Sequence, residues 1–173
     1  MLKYALLSAT VLMLVALGGC FSEHSGVINL GLEGIMIMGA LGGALTMRYV
    51  PNTAPAIVML LAVIVVSALV GMVYSCLLAV ASINFKADQT LVGTALNLLG
   101  TAGATVIVKA INTAANPDDV SSIVQYGGAK SALLVSIGSF EFNWFMLVAF
   151  IALVFAYVTL YKTRFGLRLM ACG

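Results

Sequence analysis

Long apolar stretches alternate with short polar ones along most of this chain. Four runs contain no Asp, Glu, Lys or Arg, namely residues 4–22, 49–85, 89–108 and 142–161. Each run reaches the roughly 18–20 residues that a helix needs to cross a hydrocarbon core about 30 Å thick. A buried core helix could explain one such run, but four of them predict a polytopic membrane protein built of α-helices.

The polar and helix-breaking residues between these runs divide the chain into five predicted helical segments. The segments are residues 4–20, 27–47, 54–81, 90–111 and 142–161. We expect the polar stretch 21–26 to interrupt the chain between the first two. The longest polar stretch, residues 112–141, is expected to form a loop, because its apolar piece Ala132–Ile137 is too brief to span a membrane.

The positions of the basic residues indicate an orientation in the membrane. Lys162, Arg164 and Arg168 form the densest basic cluster of the chain. Because short segments rich in Lys and Arg favour the cytoplasmic side, we expect the C-terminal tail to lie inside. The 112–141 loop would then lie outside, and the loop that carries Lys86 would lie inside.

The same reasoning meets a conflict at the N-terminus. If residues 4–20 and 27–47 each cross once, Lys3 lies outside, contrary to the rule that basic residues stay inside. If one of these two segments is broken or re-entrant, Lys3 lies inside. The conflict therefore predicts an irregular segment around Ser25–Gly34.

Composition supports the membrane assignment and removes several classes of function. Charged residues make up 8% of the chain, against about 25% of an average soluble domain. No basic cluster occurs before the last dozen residues, so nucleic acid is not expected as a partner. The three cysteines are widely separated and His24 is the only histidine, so we expect neither a metal site nor a cofactor.

Polar residues and glycines coincide in the suspected irregular segment. Asn29 and Glu33 lie four residues apart, which places them on one helical face. A charged group at the centre of a bilayer costs about 2.5–3.5 kcal/mol on insertion scales, so it normally faces a cavity or a partner. The flanking Gly26, Gly31 and Gly34 are candidates for a helix break, and broken helices line the binding sites of many transporters.

The candidate residues for a substrate pathway are therefore Asn29, Glu33 and, on a later segment, Asn97. An alternative remains open for each. Glu33 would also be stable near an interface or paired with an amide, and the two asparagines would also serve to hold helices together.

The N-terminus also resembles an export signal. Lys3 precedes an apolar run that ends in Leu17-Gly18-Gly19-Cys20, a sequence like a lipoprotein cleavage box. A lipoprotein would carry a soluble domain behind its anchor, whereas the apolar pattern here continues. The hypothesis of a lipoprotein or a structural subunit is therefore weaker. A membrane-embedded enzyme is also disfavoured, because the sequence offers no convergent set of catalytic groups.

Three blocks of this sequence resemble a known family in the family's own order. They are Gly18–Ala40, which contains Ser-Gly-Val-Ile-Asn-Leu-Gly-Leu-Glu-Gly, then Lys86–Leu99, and finally Thr163–Gly173. The chain resembles permeases of bacterial ABC importers of the branched-chain amino acid and simple-sugar superfamily, most closely the nucleoside and sugar branch. The resemblance covers nearly the whole chain.

The resemblance implies a transport subunit rather than an enzyme, in the bacterial cytoplasmic membrane, with residues 1–173 forming one permease domain. It implies ABC ATPase subunits, a second permease subunit and an extracytoplasmic substrate-binding protein as partners. The solute would be a nucleoside or simple sugar, or alternatively a branched-chain amino acid. Residues 162–173 would begin the cytoplasmic coupling region, with Arg164, Gly166 and Arg168 as candidates for contact with the ATPase.

The sequence departs from the family pattern in three places. His24 and Met170 stand where arginines are usual, and the chain stops at Gly173, where the family pattern continues into further helices. We therefore expect this chain to correspond to the N-terminal portion of a permease.

Overall fold

The described residues form six helices and one short β-hairpin. The computed structural model describes residues 2–26, 28–50, 55–124, 134–137 and 140–172. The elements are α1 Leu2–His24, α2 Leu32–Tyr49, α3 Ala56–Ile83, α4 Gln89–Ala115, β1 Leu134–Ile137, β2 Phe140–Asn143, α5 Trp144–Lys162 and α6 Arg164–Cys172. The predicted helical fold class is confirmed. The antiparallel hairpin, which pairs Leu134 with Asn143, is an addition at the end of the long polar stretch.

The chain divides into two compact units, which we describe separately. The first contains residues 1–29 and 133–173, and therefore α1, the hairpin, α5 and α6. The second contains residues 30–132, and therefore α2, α3 and α4.

In the first unit, α1 packs against α5. The ring of His24, at the end of α1, meets the ring of Tyr161, at the end of α5, edge to face with centroids 6.3 Å apart. On α5, Ala149, Ala156 and Leu160 are buried at helical spacing and form one inward face. The C-terminal ends of α1 and α5 therefore lie side by side.

The end of α1 differs from the prediction. Residues 21–24, which were expected to interrupt the helix, form its last turn instead. A local contact accompanies this last turn: His24 Nδ1 lies 2.7 Å from the carbonyl oxygen of Cys20, four residues earlier. The interruption comes after this turn, where Gly26 adopts a φ of 77°, a left-handed conformation that glycine tolerates and other residues avoid.

In the second unit, α2 runs antiparallel to α3 and parallel to α4. The α2–α3 contact pairs Ile35 with Gly71 and Gly43 with Ser67, so the two sequences approach in opposite order. On α4 the buried residues recur every three or four positions and form one stripe toward α2: Gly93, Leu96, Gly100, Ala104, Val108 and Asn112. This spacing is the one that places side chains on a single helical face.

Two helices in the described part of the chain, α3 and α4, are long and apolar enough by themselves to cross a membrane. A third span results if α5 and α6, which are bent by 69°, are counted together. The α1 helix adds a shorter apolar segment, and α2 carries Glu33 in its first turn and Arg48 in its last.

The outward faces of these helices are strongly apolar. On α3, for example, Leu61, Leu69 and Val73 are more than half exposed. A continuous apolar surface of this kind is unstable in water and marks contact with lipid or with other helices. Together with the apolar helices, it identifies a membrane protein.

The backbones of α2 and α4 touch where two glycines meet. A Cβ added to Gly100 would lie 2.9 Å from Gly34 Cα and 3.0 Å from the Gly34 carbonyl oxygen. A Cβ added to Gly34 would lie 2.7 Å from the carbonyl oxygen of Leu96. Neither neighbour is a flexible side chain, so only glycine permits this approach.

We expect Gly100→Ala to lower the stability of the purified protein by about 1–3 kcal/mol, the usual cost of overfilling a packed contact. Gly103 on the same helix is the matched control, since nothing lies within 4 Å of a Cβ placed there. Gly103→Ala should be neutral or stabilising by up to about 1 kcal/mol, because alanine favours the helix. Thermal unfolding in detergent, followed by circular dichroism, compares the two, and equal midpoints would contradict the close contact.

Candidate functional site

The side-chain amide of Asn97 joins the start of α2 to α4. Its Oδ1 accepts a hydrogen bond from the backbone N–H of Gly34 at 2.7 Å, and its Nδ2 donates to the carbonyl oxygen of Leu30 at 2.8 Å. Asn97 therefore bonds to backbone groups before and after Gly31, the residue that precedes α2.

This arrangement replaces a missing helix cap. The first N–H groups of a helix have no partner inside the helix, and a Ser, Thr, Asp or Asn side chain just before the helix normally accepts one of them. The residue before α2 is Gly31, which makes no side-chain cap. Asn97 accepts from Gly34, the third residue of α2, and so caps the helix from a neighbouring one.

Small residues bring the two backbones close enough for this amide to reach. Gly93 lies one turn before Asn97, and a Cβ on it would fall 2.9 Å from the backbone nitrogen of Gly31. Gly34 and Gly100 meet on the other side, as described above. Tyr74 of α3 completes the contact, because its hydroxyl donates to the carbonyl oxygen of Leu96 at 2.6 Å. The three helices of the second unit thus converge on one turn of α4.

The three predicted pathway residues occupy different environments. Glu33 is exposed and lies in the first turn of α2. Asn97 is half-buried, and both of its polar atoms bond to backbone groups. Asn29 is half-buried and is the last residue of the first unit. Of these three residues, Glu33 is the exposed one.

The three glycines named as candidates for a helix break also differ in position. Gly26 lies in the turn after α1, and Gly31 is the residue before α2. Gly34 lies inside α2 and is buried against α4. The chain is thus non-helical at residues 25–26 and 28–31, and Gly34 serves the close approach of two helices.

A second polar cluster, which the sequence analysis missed, lies at the opposite end of α2 and α4. Asn112 is only 2% exposed, and its Oδ1 accepts from Arg48 Nη1 at 2.7 Å. Its Nδ2 donates to the carbonyl oxygens of Ser121 and Ile123 at 3.0 and 2.9 Å. The signal was present in the sequence, because Asn112 continues the stripe Gly100, Ala104, Val108 at a spacing of four.

This second cluster orders the chain that follows α4. Asp119 accepts from the backbone N–H of Ser121 at 3.0 Å. Hydrogen bonds from the Ser121 side chain and backbone, with a contribution from the charge of Arg48, lower the pKa of Asp119 below its usual value. These contacts favour the ionised carboxylate, which accepts the N–H of Ser121 in this turn.

The segment after α4 borders a cleft of about 370 Å³ between α2 and α4. Most of its lining is apolar, including Ile37, Leu41 and Val108, and Thr101, Thr105 and Ser122 supply hydroxyl groups. None of the three predicted pathway residues lines this cleft. Since Asn112 binds the carbonyl of Ile123, it holds the segment at the border of the cleft.

The predicted coupling residues lie on α6. Arg164 and Arg168 are exposed, whereas Gly166 is buried against the end of α5. Within the part of the chain that the structure describes, no group of three His, Cys, Asp or Glu side chains is placed to hold a metal ion.

The chain is similar to known transport proteins. The family model described as "Branched-chain amino acid transport system / permease component" matches residues 1–173. The chain is 36% identical to the guanosine ABC transporter permease protein NupQ of Bacillus subtilis and 32% identical to the nucleoside ABC transporter permease protein NupC of Lactococcus lactis; each alignment covers 97% of this chain and 54% of the relative. It therefore spans about half the length of the curated relatives it matches. No solved structure matches.

The bridging role of Asn97 can be tested by substitution. Asn97→Ala removes both hydrogen bonds and leaves the N–H of Gly34 without its acceptor, which should cost about 1–3 kcal/mol of stability. Asn97→Asp keeps an acceptor for Gly34 but places an anionic oxygen against the Leu30 carbonyl, so it should also destabilise. The control is Thr94→Ala, since the exposed hydroxyl of Thr94 bonds to carbonyls of its own helix.

Hydrogen exchange of the amides in residues 28–36, followed by mass spectrometry, provides the measurement. We expect faster exchange in both Asn97 variants and unchanged exchange in Thr94→Ala. If Asn97→Ala exchanged at the rate of the parent protein, Asn97 would not cap α2.

Proposed function

Because this chain belongs to the branched-chain amino acid transport system permease component family, we propose that it forms part of the membrane channel of an ATP-driven importer for nucleosides. The observation that carries the proposal is the similarity over 97% of the chain to two permeases whose names specify guanosine and nucleosides. The apolar outer faces of its helices and the glycine contact between α2 and α4 agree with a membrane-embedded bundle.

Two other solute classes are less well supported. The chain is also 39% identical over 98 residues to a putative glucose ABC transporter permease protein of Haloferax volcanii, which covers 54% of this chain. A simple sugar is therefore the second candidate, and a branched-chain amino acid has only the family description in its favour.

Other subunits would supply the energy and deliver the solute. The sequence contains no phosphate-binding loop of the form G-x-x-x-x-G-K-[ST], so ATP hydrolysis by that route falls to a partner. We propose two ABC ATPase subunits, a second permease subunit and an extracytoplasmic binding protein as partners. The exposed arginines Arg164 and Arg168 follow the last span and would lead into the surface that contacts the ATPase.

Among the candidate pathway residues, Glu33 is the one we propose to act on the solute. Its carboxylate is exposed at the start of α2, where negative charge is favoured by the helix dipole, and it can accept hydrogen bonds from ribose hydroxyls. Asn97 would position Glu33 by capping the same helix turn. Asn29 would precede this turn on the chain.

A topology follows from the helix directions inside each unit. If the basic tail after α5 is cytoplasmic, the end of α1 beside Tyr161 is cytoplasmic too, and the N-terminus lies outside. In the second unit, α2 and α4 begin on one side, and α4 follows the loop that carries Lys86. With that loop inside, Arg48 and the 112–141 segment lie outside. In this topology α1 and α2 each cross once, and Lys3 lies outside as an exception to the rule for basic residues.

Reporter fusions test this topology in the native membrane of a bacterial host. We expect periplasmic-type activity from fusions before Lys3 and at Gly128, and cytoplasmic-type activity from fusions at Lys86 and Arg168. A cytoplasmic signal before Lys3, with the other three unchanged, would mean that α1 does not cross the membrane. Reversal of the Gly128 and Arg168 signals would contradict the whole orientation.

Solute uptake tests the function itself. Cells that express the permease containing this chain, together with its ATPase and binding protein, should accumulate labelled guanosine, and excess adenosine or uridine should compete whereas glucose and leucine should not. Glu33→Gln should lower uptake by at least about tenfold, because hydrogen bonds to charged groups contribute about 1.5–3 kcal/mol each.

The matched control is Glu23→Gln, which makes the same change at an exposed glutamate in the last turn of α1. It should leave uptake unchanged, and membrane insertion of both variants should equal that of the parent. Uptake of glucose or leucine instead of nucleosides would reassign the solute class, whereas normal uptake by Glu33→Gln would remove only Glu33 from the pathway.

A further inference from the structure

The last helix leaves the preceding span at a sharp angle. The axis of α6 is bent by 69° from that of α5, with Thr163 between them. The 19 residues of α5 reach about 28 Å at 1.5 Å per residue, which is nearly the thickness of a hydrocarbon core. If α5 spans the core by itself, as in the proposed topology, α6 would begin at the membrane surface and run close to its plane.

Local contacts hold this bend in place. Thr163 precedes α6, and its Oγ accepts from the backbone N–H of Gly166 at 3.4 Å, the position of a helix cap. A Cβ on Gly166 would overlap the carbonyl group of Leu160 at the end of α5. The first turn of α6 is therefore pressed against the last turn of α5, and no larger residue fits there.

The faces of α6 differ in polarity. Gly166 is buried, and Leu169 and Met170 are half-buried on the same side of the helix. Arg164 and Arg168 lie four residues apart on the opposite side and are exposed. Between these two faces, the exposed side chains of Phe165 and Leu167 extend to either flank; they are 62% and 66% exposed.

The charge on this helix is of one sign. Residues 144–173 contain Lys162, Arg164 and Arg168 and no Asp or Glu. A short helix with an apolar face, flanking large apolar side chains and a purely basic opposite edge is the type that binds in the interface of a membrane with anionic lipids. Charge complementarity thus favours a phosphate-bearing lipid surface as the ligand of this helix.

We propose that α6 is an in-plane anchor that binds the headgroups of anionic phospholipids through Arg164 and Arg168, with Phe165 and Leu167 inserted at the boundary between headgroups and acyl chains. This proposal rests on the membrane-spanning placement of α5 in the proposed function, but it does not depend on the solute. The anchor would fix the direction in which the chain leaves the membrane toward the ATPase.

Fluorescence quenching in lipid nanodiscs tests the proposal on the full chain. The sequence contains one tryptophan, Trp144, so the double variant Trp144→Phe/Phe165→Trp places a single reporter on α6. All nanodiscs consist mainly of unlabelled phosphatidylcholine. One set contains a fixed mole fraction of phosphatidylcholine brominated near the headgroup, and the other set contains the same mole fraction of equally brominated phosphatidylglycerol.

We expect quenching by the brominated phosphatidylglycerol to exceed that by the brominated phosphatidylcholine by at least about twofold, because each arginine near an anionic surface attracts it by several-fold. Adding Arg164→Gln and Arg168→Gln should remove this difference and leave the quenching by phosphatidylcholine in place. Lys109→Gln, which removes an exposed positive charge from α4, is the control and should preserve the difference.

Equal quenching by the two lipids would overturn the headgroup site, and no quenching by either would show that α6 lies in water. Loss of the difference in Lys109→Gln as well would assign the effect to overall charge and also overturn the site. The assay contains no solute or ATPase, so its result is independent of nucleoside uptake. The headgroup site could be overturned while the proposed function holds, and the proposed function could be overturned while the headgroup site holds.

Discussion

The second unit depends on the contact between the start of α2 and one turn of α4. Helices in a membrane gain little from the hydrophobic effect when they associate, so close packing and hydrogen bonds between them must supply the stability. Gly34 and Gly100 allow the backbones to touch. At that distance the amide of Asn97 reaches both Leu30 and Gly34. It thereby caps α2, since Gly31, the residue before this helix, has no side chain that could do so. Packing and capping are therefore a single constraint.

That constraint explains how an irregular segment can exist at this position. A break in a helix exposes N–H and C=O groups, and each one left unsatisfied in an apolar environment costs free energy. Asn97 satisfies one donor and one acceptor at the break, and the turn at Gly26 satisfies others through bonds to residues of the last turn of α1. Glu33 is then presented in the first turn of α2, with its backbone held by a neighbouring helix rather than by its own loop.

The two ends of the α2–α4 pair use the same residue type for different purposes. Asn97 joins two helices, whereas Asn112 joins a helix to the segment that follows it and to Arg48. An asparagine whose amide oxygen and nitrogen both have partners favours one register of the chain, because a shift would break both hydrogen bonds. Hydrogen bonds of an asparagine therefore hold the α2–α4 pair together near both ends, and the cleft lies between the two asparagines.

The hydrophobic pattern alone determined that this is a helical membrane protein, since four uncharged runs of spanning length admit little else. Local composition also located the segments and the irregular stretch before Glu33. The family was indicated separately, by the resemblance of three ordered blocks of sequence. The pattern could not show that residues 21–24 continue α1, that Gly34 serves a helix contact, or that Asn112 is buried. Those facts depend on which face of each helix meets a neighbour. A membrane helix is apolar on nearly every side, so its sequence periodicity does not mark the face that packs inward. The tertiary structure determines that face, because it shows where backbones approach at glycines and which amides form hydrogen bonds with neighbouring segments.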